Sequence, residues 1–223
     1  MVKKLFFQAT GRYFLGLITV AVLLFLPAGT WQYPNGWLFI VALFAPMLAA
    51  GIVMMIRNPE LLQKRLQARE KEKEQRAVVA LSEIMLMAAF VVAGFNFRFG
   101  RIVLPKWAVY TATGIFLAAY AMYAEVLREN AYLSRTVEVQ ENQMVVDTGL
   151  YGIVRHPMYA ATLLLFLSMG FVLGSPISSA ILLLYIPIIA KRIRNEENVL
   201  TRGLPGYEKY RNKVKYKVIP FIW

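Results

Sequence analysis

The chain has 223 residues, of which 58% are hydrophobic and only 17% are charged, and its mean hydropathy is +0.51. This apolar share exceeds that of an ordinary soluble domain, which favours an integral membrane protein. The absence of cysteine excludes disulfides and thiolate ligands, and a single histidine excludes a multi-histidine metal site, so no metal is expected. The net charge of +12 fits basic loops that face anionic lipid better than it fits a nucleic-acid partner, and no nucleic acid is expected.

Four segments are long and apolar enough to cross a bilayer, which takes about 20 mostly apolar residues. They are residues 13–28, 36–56, 78–97 and 107–127. The first follows a basic start, as the apolar part of a signal peptide would, but no small-residue cleavage site follows it. The sequence PAGTWQYPNGW instead predicts a tight turn into the second span, so the first segment is expected to remain as a helix.

A fifth apolar region, residues 157–190, is too long for one helix and contains the sequence GSP at 174–176. Glycine and proline together end helices, so this region is predicted to form a hairpin. Each arm, of about 14 to 18 residues, would be roughly 21–27 Å long and would barely cross the bilayer.

The predicted fold is therefore all-α and forms one polytopic membrane domain with five to six membrane helices. Residues 1–127 supply four spanning helices, and residues 128–223 supply a loop, the hairpin and a short basic tail.

Lysine and arginine are concentrated in segments that alternating spans would place on one side of the membrane. These segments are residues 1–4, 57–76, 128–155 and 191–223. The opposite side receives only a few basic residues, among them Arg98, Arg101 and Lys106. By the positive-inside rule, both termini and the basic segments are predicted to be cytoplasmic.

Polar residues that could carry chemistry lie in the last third of the chain. An extended loop that includes QENQMVV (140–146) precedes a turn, and His156 then stands at the start of the hairpin, where Pro157 suits the first helical turn. After the second arm, Arg192, Glu196 and Val199 share one helix face. Because a hairpin brings its two ends together, we expect a surface pocket with an apolar floor and several hydrogen-bonding groups.

Taken singly, these residues have simpler explanations. Arg155 and His156 would serve as interfacial anchors of a span, and two tail tyrosines, Tyr207 and Tyr210, as aromatic-belt residues. Arg192 and Glu196 would form a helix-surface ion pair worth only about 0.3–0.5 kcal/mol. Their convergence on one membrane face is what favours a functional site.

The order TGLYGIVRHPMY, apolar hairpin, RxxxEExxL (192–200) and Tyr-xx-Tyr tail resembles the isoprenylcysteine carboxyl methyltransferase family and its phospholipid methyltransferase relatives. The resemblance covers residues 140–220 and rests on RHPxY followed by a glutamate pair about 40 residues later. Ala161 departs from the family pattern, in which a glycine often follows RHPxY, and GLPGYEKY replaces the commoner Phe-Gly-xx-Tyr-xx-Tyr. The resemblance implies S-adenosylmethionine as the cofactor, bound at the cytoplasmic face of the membrane.

The resemblance also implies roles for individual residues. Arg192 corresponds to the catalytic residue that meets the substrate carboxylate, and His156 is expected to be a pocket wall and hydrogen-bond donor. The residues that correspond to the cofactor site are Gln140, Gln143, Met144, Val145, Val146, Tyr151, His156, Pro157, Met158, Tyr159 and Glu196. A sulfonium methyl is already electrophilic and a carboxylate already nucleophilic, so no general base is required and positioning can supply about 7–11 kcal/mol.

Three functions remain open at this point. The first is a membrane methyltransferase with a lipophilic or lipid-modified acceptor that enters from the bilayer: a carboxylate, a phospholipid amine or a thiol. The second is a sterol-reductase-like membrane protein that binds NADPH, which would need additional basic residues for the 2′-phosphate. The third is a scaffold or transporter, which the scarcity of ionisable residues in the middle of the spans disfavours. The short, simple chain predicts a prokaryotic inner or plasma membrane.

Overall fold

The computed structural model describes residues 2–67, 73–130, 132 and 139–223, and within these ranges the chain forms helices and turns without a strand. The prediction of an all-α fold is confirmed. The helices are α1 (Val2–Ala28), α2 (Pro34–Arg57), α3 (Pro59–Gln67), α4 (Lys73–Phe99), α5 (Lys106–Glu129), α6 (Pro157–Val172), α7 (Pro176–Leu182), α8 (Tyr185–Gly203) and α9 (Tyr207–Lys213).

Several of these helices are long and apolar enough to cross a membrane. In the part of the chain that the structure describes, they are Lys3–Ala28, Pro34–Arg57 and Arg76–Phe99, together with the segment Pro176–Gly203, which joins α7 and α8. The first three coincide with predicted spans. The fourth predicted span, α5, has the same length as α2 but is interrupted by tyrosines and threonines, and it falls outside this set. The protein is an integral membrane protein by this criterion, and α1 accordingly presents exposed apolar side chains such as Phe14 and Ile18.

The hairpin break is found where the sequence predicts it. Gly174 has a φ of +72°, a conformation that glycine adopts without strain. Ser175 then caps α7 by accepting a hydrogen bond from the N–H of Ser178, and Pro176 occupies the first helical turn. Gly170 on α6 lies so close to the backbone of α7 that a β-carbon would not fit. The two arms therefore pack directly against each other.

The second arm differs from the prediction because it is two helices. α7 ends at Leu182 and α8 begins at Tyr185. Pro187 has no N–H to donate to the carbonyl of Leu183, and in a continuous helix its ring would clash with that carbonyl. α8 also runs past the apolar segment to Gly203, because its charged second half keeps the amphipathic helical pattern. This extension carries the RxxxEExxL sequence out of the bundle.

The two ends of the bundle differ in charge. At one end the hydroxyl of Tyr33 donates to the carbonyl of Leu173 at 2.5 Å, and the side-chain amide of Asn96 donates to that of Gly174 at 3.2 Å. The α1–α2, α4–α5 and α6–α7 turns therefore lie together. The opposite end collects the start of α1, α3, the loop before α6 and the α8–α9 tail. The described parts of the basic segments that were predicted to share one side lie at this end of the bundle; residues 68–72 and 133–138 of those segments lie outside the described residues.

Candidate active site

A cleft lies at the basic end of the bundle, where α5 ends, α6 begins and α8 emerges. Two further walls come from the loop 139–148 and from α9. The lining residues are Asn130, Tyr132, Gln143, Met144, Val145, Val146, Tyr151, Arg155, His156, Pro157, Met158, Tyr159, Arg192, Glu196, Val199, Leu200, Leu204, Tyr207 and Tyr210. Apart from Gln140, every residue that the sequence analysis places in the site lines this cleft.

Gln140 instead shapes the loop next to the cleft. Its side-chain amide donates to the carbonyl of Tyr132 at 2.6 Å, and its backbone N–H donates to the side-chain oxygen of Gln143 at 2.8 Å. Asn142, with a φ of +57°, completes a tight turn between them. The described part of the loop has no helix, as predicted.

The end of α5 fixes the GLYG turn that follows the loop. Glu129 accepts a hydrogen bond from the N–H of Leu150 at 3.0 Å and lies so close to Gly149 that no side chain would fit there. Asn130 donates to the hydroxyl of Tyr151 at 2.9 Å. The sequence analysis missed Glu129 and Asn130. Their position at the polar end of an apolar helix is the signal that could have identified them.

One hydrogen-bonded chain joins α6 and α8 inside the cleft. The Nε atom of Arg192 donates to the hydroxyl oxygen of Tyr159 at 3.0 Å, and that hydroxyl donates to Glu196 at 2.5 Å. Because Arg192 and Glu196 are one helical turn apart, a single hydroxyl from α6 reaches both. Tyr159 is buried, so this arrangement differs from the exposed ion pair of the simpler explanation.

His156 lies between two carboxylates. Its Nε2 atom is 3.4 Å from Glu197, and its Nδ1 atom is 4.0 Å from Glu196, which is longer than a hydrogen bond. The carboxylate beside Nε2 favours the hydrogen on that nitrogen. The imidazole also stacks on the ring of Tyr159, with centroids 5.6 Å apart, and is 5% exposed. The histidine therefore forms a rigid wall of the cleft.

Arg155 and Glu197 form a buried pair directly behind this wall. The Nε atom of Arg155 donates to Glu197 at 2.8 Å, and the two side chains are 7% and 11% exposed. Lys217 approaches the same carboxylate at 3.4 Å. No role was assigned to Glu197, and Arg155 was considered only as an interfacial anchor. Two adjacent basic residues, Arg155 and His156, are matched by two adjacent glutamates, Glu196 and Glu197. This pattern could have indicated two side-by-side contacts between the start of α6 and α8.

The same arginine fixes the tail. Its Nη1 atom donates to the carbonyl oxygens of Val214 and Lys215 at 2.8 and 3.0 Å. The backbone N–H of Arg155 donates to the carbonyl of Tyr216 at 2.9 Å, and the next N–H donates to that of Lys217 at 2.8 Å. The tail is therefore bound against the start of α6 by four hydrogen bonds within one short segment.

Two tyrosines of α9 complete the cleft. The hydroxyl of Tyr210 donates to the carbonyl of Tyr151 at 2.8 Å, which ties α9 to the GLYG turn. The hydroxyl of Tyr207 is buried and finds no hydrogen-bond partner among the described residues. Burial raises the pKa of both hydroxyls, so both are neutral at physiological pH. Both side chains face inward instead of forming an exposed aromatic belt.

The comparisons with known proteins concern the same part of the chain. Residues 110–202 match the model of the isoprenylcysteine carboxyl methyltransferase (ICMT) family, which is a family of methyltransferases. The matched segment runs from α5 through the cleft-forming loop and hairpin to α8 and confirms the family resemblance seen in the sequence, whereas the Tyr-xx-Tyr tail lies beyond the matched residues. No curated protein matches the chain. Among the described residues, no group of three or more histidine, aspartate or glutamate side chains is arranged to hold a metal ion.

Replacing Arg155 with alanine should release the tail. The change removes two side-chain donors to tail carbonyls and leaves Glu197 buried without its closest partner, a loss that costs about 3–5 kcal/mol. Trypsin digestion of the protein in detergent should then cleave the basic segment 209–217 faster than in the unchanged protein. Arg202→Ala, at an exposed position near the end of α8, is the matched control. Equal digestion of both variants would show that other contacts hold the tail.

Proposed function

We propose that the protein is an S-adenosylmethionine-dependent membrane methyltransferase that methylates the carboxylate of a lipophilic acceptor. The observation that carries the proposal is the pair of hydrogen bonds that joins Arg192 to Tyr159 and Tyr159 to Glu196. All three residues lie inside the segment that matches a methyltransferase family. This arrangement places an anion-binding guanidinium one helical turn from a cation-binding carboxylate. That pairing suits a carboxylate acceptor next to a cationic methyl donor.

The residues of the cleft fit this cofactor. Glu196 can accept hydrogen bonds from its amino group or ribose hydroxyls, with His156 alongside. Val145, Leu200 and neighbouring apolar side chains offer a surface for its adenine ring. The partnerless hydroxyl of Tyr207 is a further sign, because a buried polar group in a cleft is usually satisfied by a ligand or by water.

Catalysis in this site would come from positioning. The bound cofactor supplies a methyl group on a sulfonium, which is electrophilic without further activation. The guanidinium of Arg192, held through Nε by Tyr159, binds the acceptor carboxylate and aims one oxygen at that methyl group. The ionised carboxylate needs no general base. The buried ring of His156 keeps water from one wall of the cleft.

The acceptor is proposed to enter from the bilayer. Met144 lines the cleft and is largely exposed, which gives the mouth an apolar rim. A phospholipid amine or a thiol is the alternative acceptor, and in either one the reacting group is not a carboxylate that Arg192 could hold in line with the methyl group. An NADPH-binding protein would need several cations for the 2′-phosphate, whereas two arginines line the cleft and one of them, Arg155, is already bound by Glu197 and by the tail. The methyltransferase is therefore favoured.

The active site is proposed to face the cytoplasm, in a prokaryotic inner or plasma membrane. The cleft lies at the end of the bundle that carries most of the basic residues. The positive-inside rule assigns such an end to the cytoplasm.

Glu196→Gln and His156→Ala should weaken the binding of S-adenosylmethionine. A hydrogen bond to a charged partner contributes about 1.5–3 kcal/mol, so the Kd should rise roughly ten- to 150-fold. Isothermal titration calorimetry on the purified protein measures this change. Glu208→Gln, which changes an exposed carboxylate on α9, should bind normally. If the affinity for S-adenosylmethionine were unchanged in both site variants, the cofactor would not bind in this cleft.

Arg192→Lys should separate acceptor binding from cofactor binding. Lysine keeps the positive charge but loses the planar fork that matches a carboxylate. The variant should bind S-adenosylmethionine nearly normally and lose most methyl transfer to a lipophilic carboxylate. Cofactor affinity and methyl transfer are measured on one preparation, with Arg194→Lys on the same helix as the control. Full activity of Arg192→Lys would exclude a carboxylate acceptor held by this residue.

Single cysteines should report the orientation, since the natural chain has no cysteine. A cysteine at Asn212, which is exposed in α9, should react with an impermeant maleimide only after the inner face of the membrane is opened. A cysteine at Gln32, exposed in the turn at the other end of the bundle, should react in intact cells. The reverse pattern would place the cleft on the outer face.

A further inference from the structure

The hydroxyl of Tyr207 is a buried polar group that the fold itself does not use. The side chain is 4% exposed and lines the cleft, yet its oxygen has no hydrogen-bond partner in the described part of the chain. Leaving a hydroxyl buried and unpaired costs about 1–3 kcal/mol. Phenylalanine would fill the same space without that cost. The hydroxyl is therefore expected to serve a ligand.

The surroundings of this hydroxyl indicate which part of a ligand it meets. Tyr207 and Leu204 belong to a small apolar cluster, separate from the main core, against which Val145 and Leu200 pack. The charged residues that line the cleft are Arg155, just before α6, and Arg192 and Glu196 on α8. The cleft thus has an apolar half near α9 and a polar half near the hairpin. A flat ring with a polar edge fits the apolar half.

The spacing along α8 connects the two halves. Arg192, Glu196 and Leu200 follow at intervals of four residues, so they lie on one face of the helix. From Arg192 to Leu200 the helix rises about 12 Å, which is comparable to the length of an extended adenosyl sulfonium. The methyl group must lie next to the acceptor at Arg192. The other end of the cofactor then reaches Leu200 and Tyr207.

We propose that Tyr207 binds the purine ring of S-adenosylmethionine through a hydrogen bond to the edge of that ring, between the loop and α8. This inference rests on the proposed function and assigns the cofactor's direction in the cleft: purine towards the tail, sulfonium towards Arg192. A neutral hydroxyl can donate to a ring nitrogen or accept from the 6-amino group.

The first test compares two ligands that differ only outside the adenosine part. S-adenosylhomocysteine carries the amino-acid group, and 5′-methylthioadenosine lacks it. Tyr207→Phe should weaken both by the same factor, about three- to tenfold, because both contain the purine. Calorimetry on the full-length protein in detergent gives both ratios.

Tyr210→Phe is the matched control. Its hydroxyl donates to the carbonyl of Tyr151, so its removal should lower the thermal midpoint of the ligand-free protein. Tyr207→Phe removes a hydroxyl that has no partner within the described chain, so the ligand-free midpoint should be unchanged or higher. A fall as large as that of Tyr210→Phe would give Tyr207 a structural role and overturn the proposal.

A second test identifies the contact on the purine. Analogues of 5′-methylthioadenosine that lack the 6-amino group or carry carbon in place of one ring nitrogen are titrated into both proteins. For one analogue, binding to the natural protein should be weaker than binding of 5′-methylthioadenosine itself. The Tyr207→Phe variant should bind that same analogue and 5′-methylthioadenosine equally well. Equal penalties in both proteins for every analogue would overturn the proposal, as would a Tyr207→Phe effect confined to S-adenosylhomocysteine. If the natural protein bound neither adenosyl ligand, the proposed function itself would fail.

Discussion

The guanidinium of Arg155 holds together the three segments from which the cleft is built. It bonds Glu197 on α8 and two carbonyl oxygens of the tail, while its own backbone stands at the start of α6. An arginine buried at a membrane surface is costly unless all its donors are satisfied. Here one carboxylate compensates the charge, and carbonyl groups accept the hydrogens of Nη1. These contacts hold the start of α6 against α8 and the tail.

The site next to these contacts depends on them. His156 follows Arg155 directly, and Glu196 precedes Glu197. The contact between Arg155 and Glu197 therefore sets the distance between His156 and Glu196. The stacking of His156 on Tyr159 then places the tyrosine hydroxyl between Arg192 and Glu196. A polar site built on a rigid support needs little reorganisation when charge is transferred.

Much of this could be predicted from the sequence, and the remainder has definite physical causes. Apolar length and the GSP turn predict most of the long helices and the hairpin, because membrane spans and turn residues are local features. The break before α8 was missed because Pro187 acts on a carbonyl four residues earlier, inside an apolar run. Most candidate site residues were predicted through a family resemblance. Glu129, Asn130 and Glu197 were missed because their roles arise from contacts between segments distant in sequence.

The shared hydroxyl of Tyr159 has a thermodynamic consequence. It donates to Glu196 and accepts from Arg192, so a ligand that moves one of these partners changes the hydrogen bond to the other. If both proposed ligands bind, occupancy of one half of the cleft would alter affinity in the other half, and linkage requires the effect to be equal in both directions. If occupancy of both halves strengthens these two hydrogen bonds, the ternary complex would be favoured over either binary one. A single phenolic oxygen would then make the two halves of the cleft cooperative.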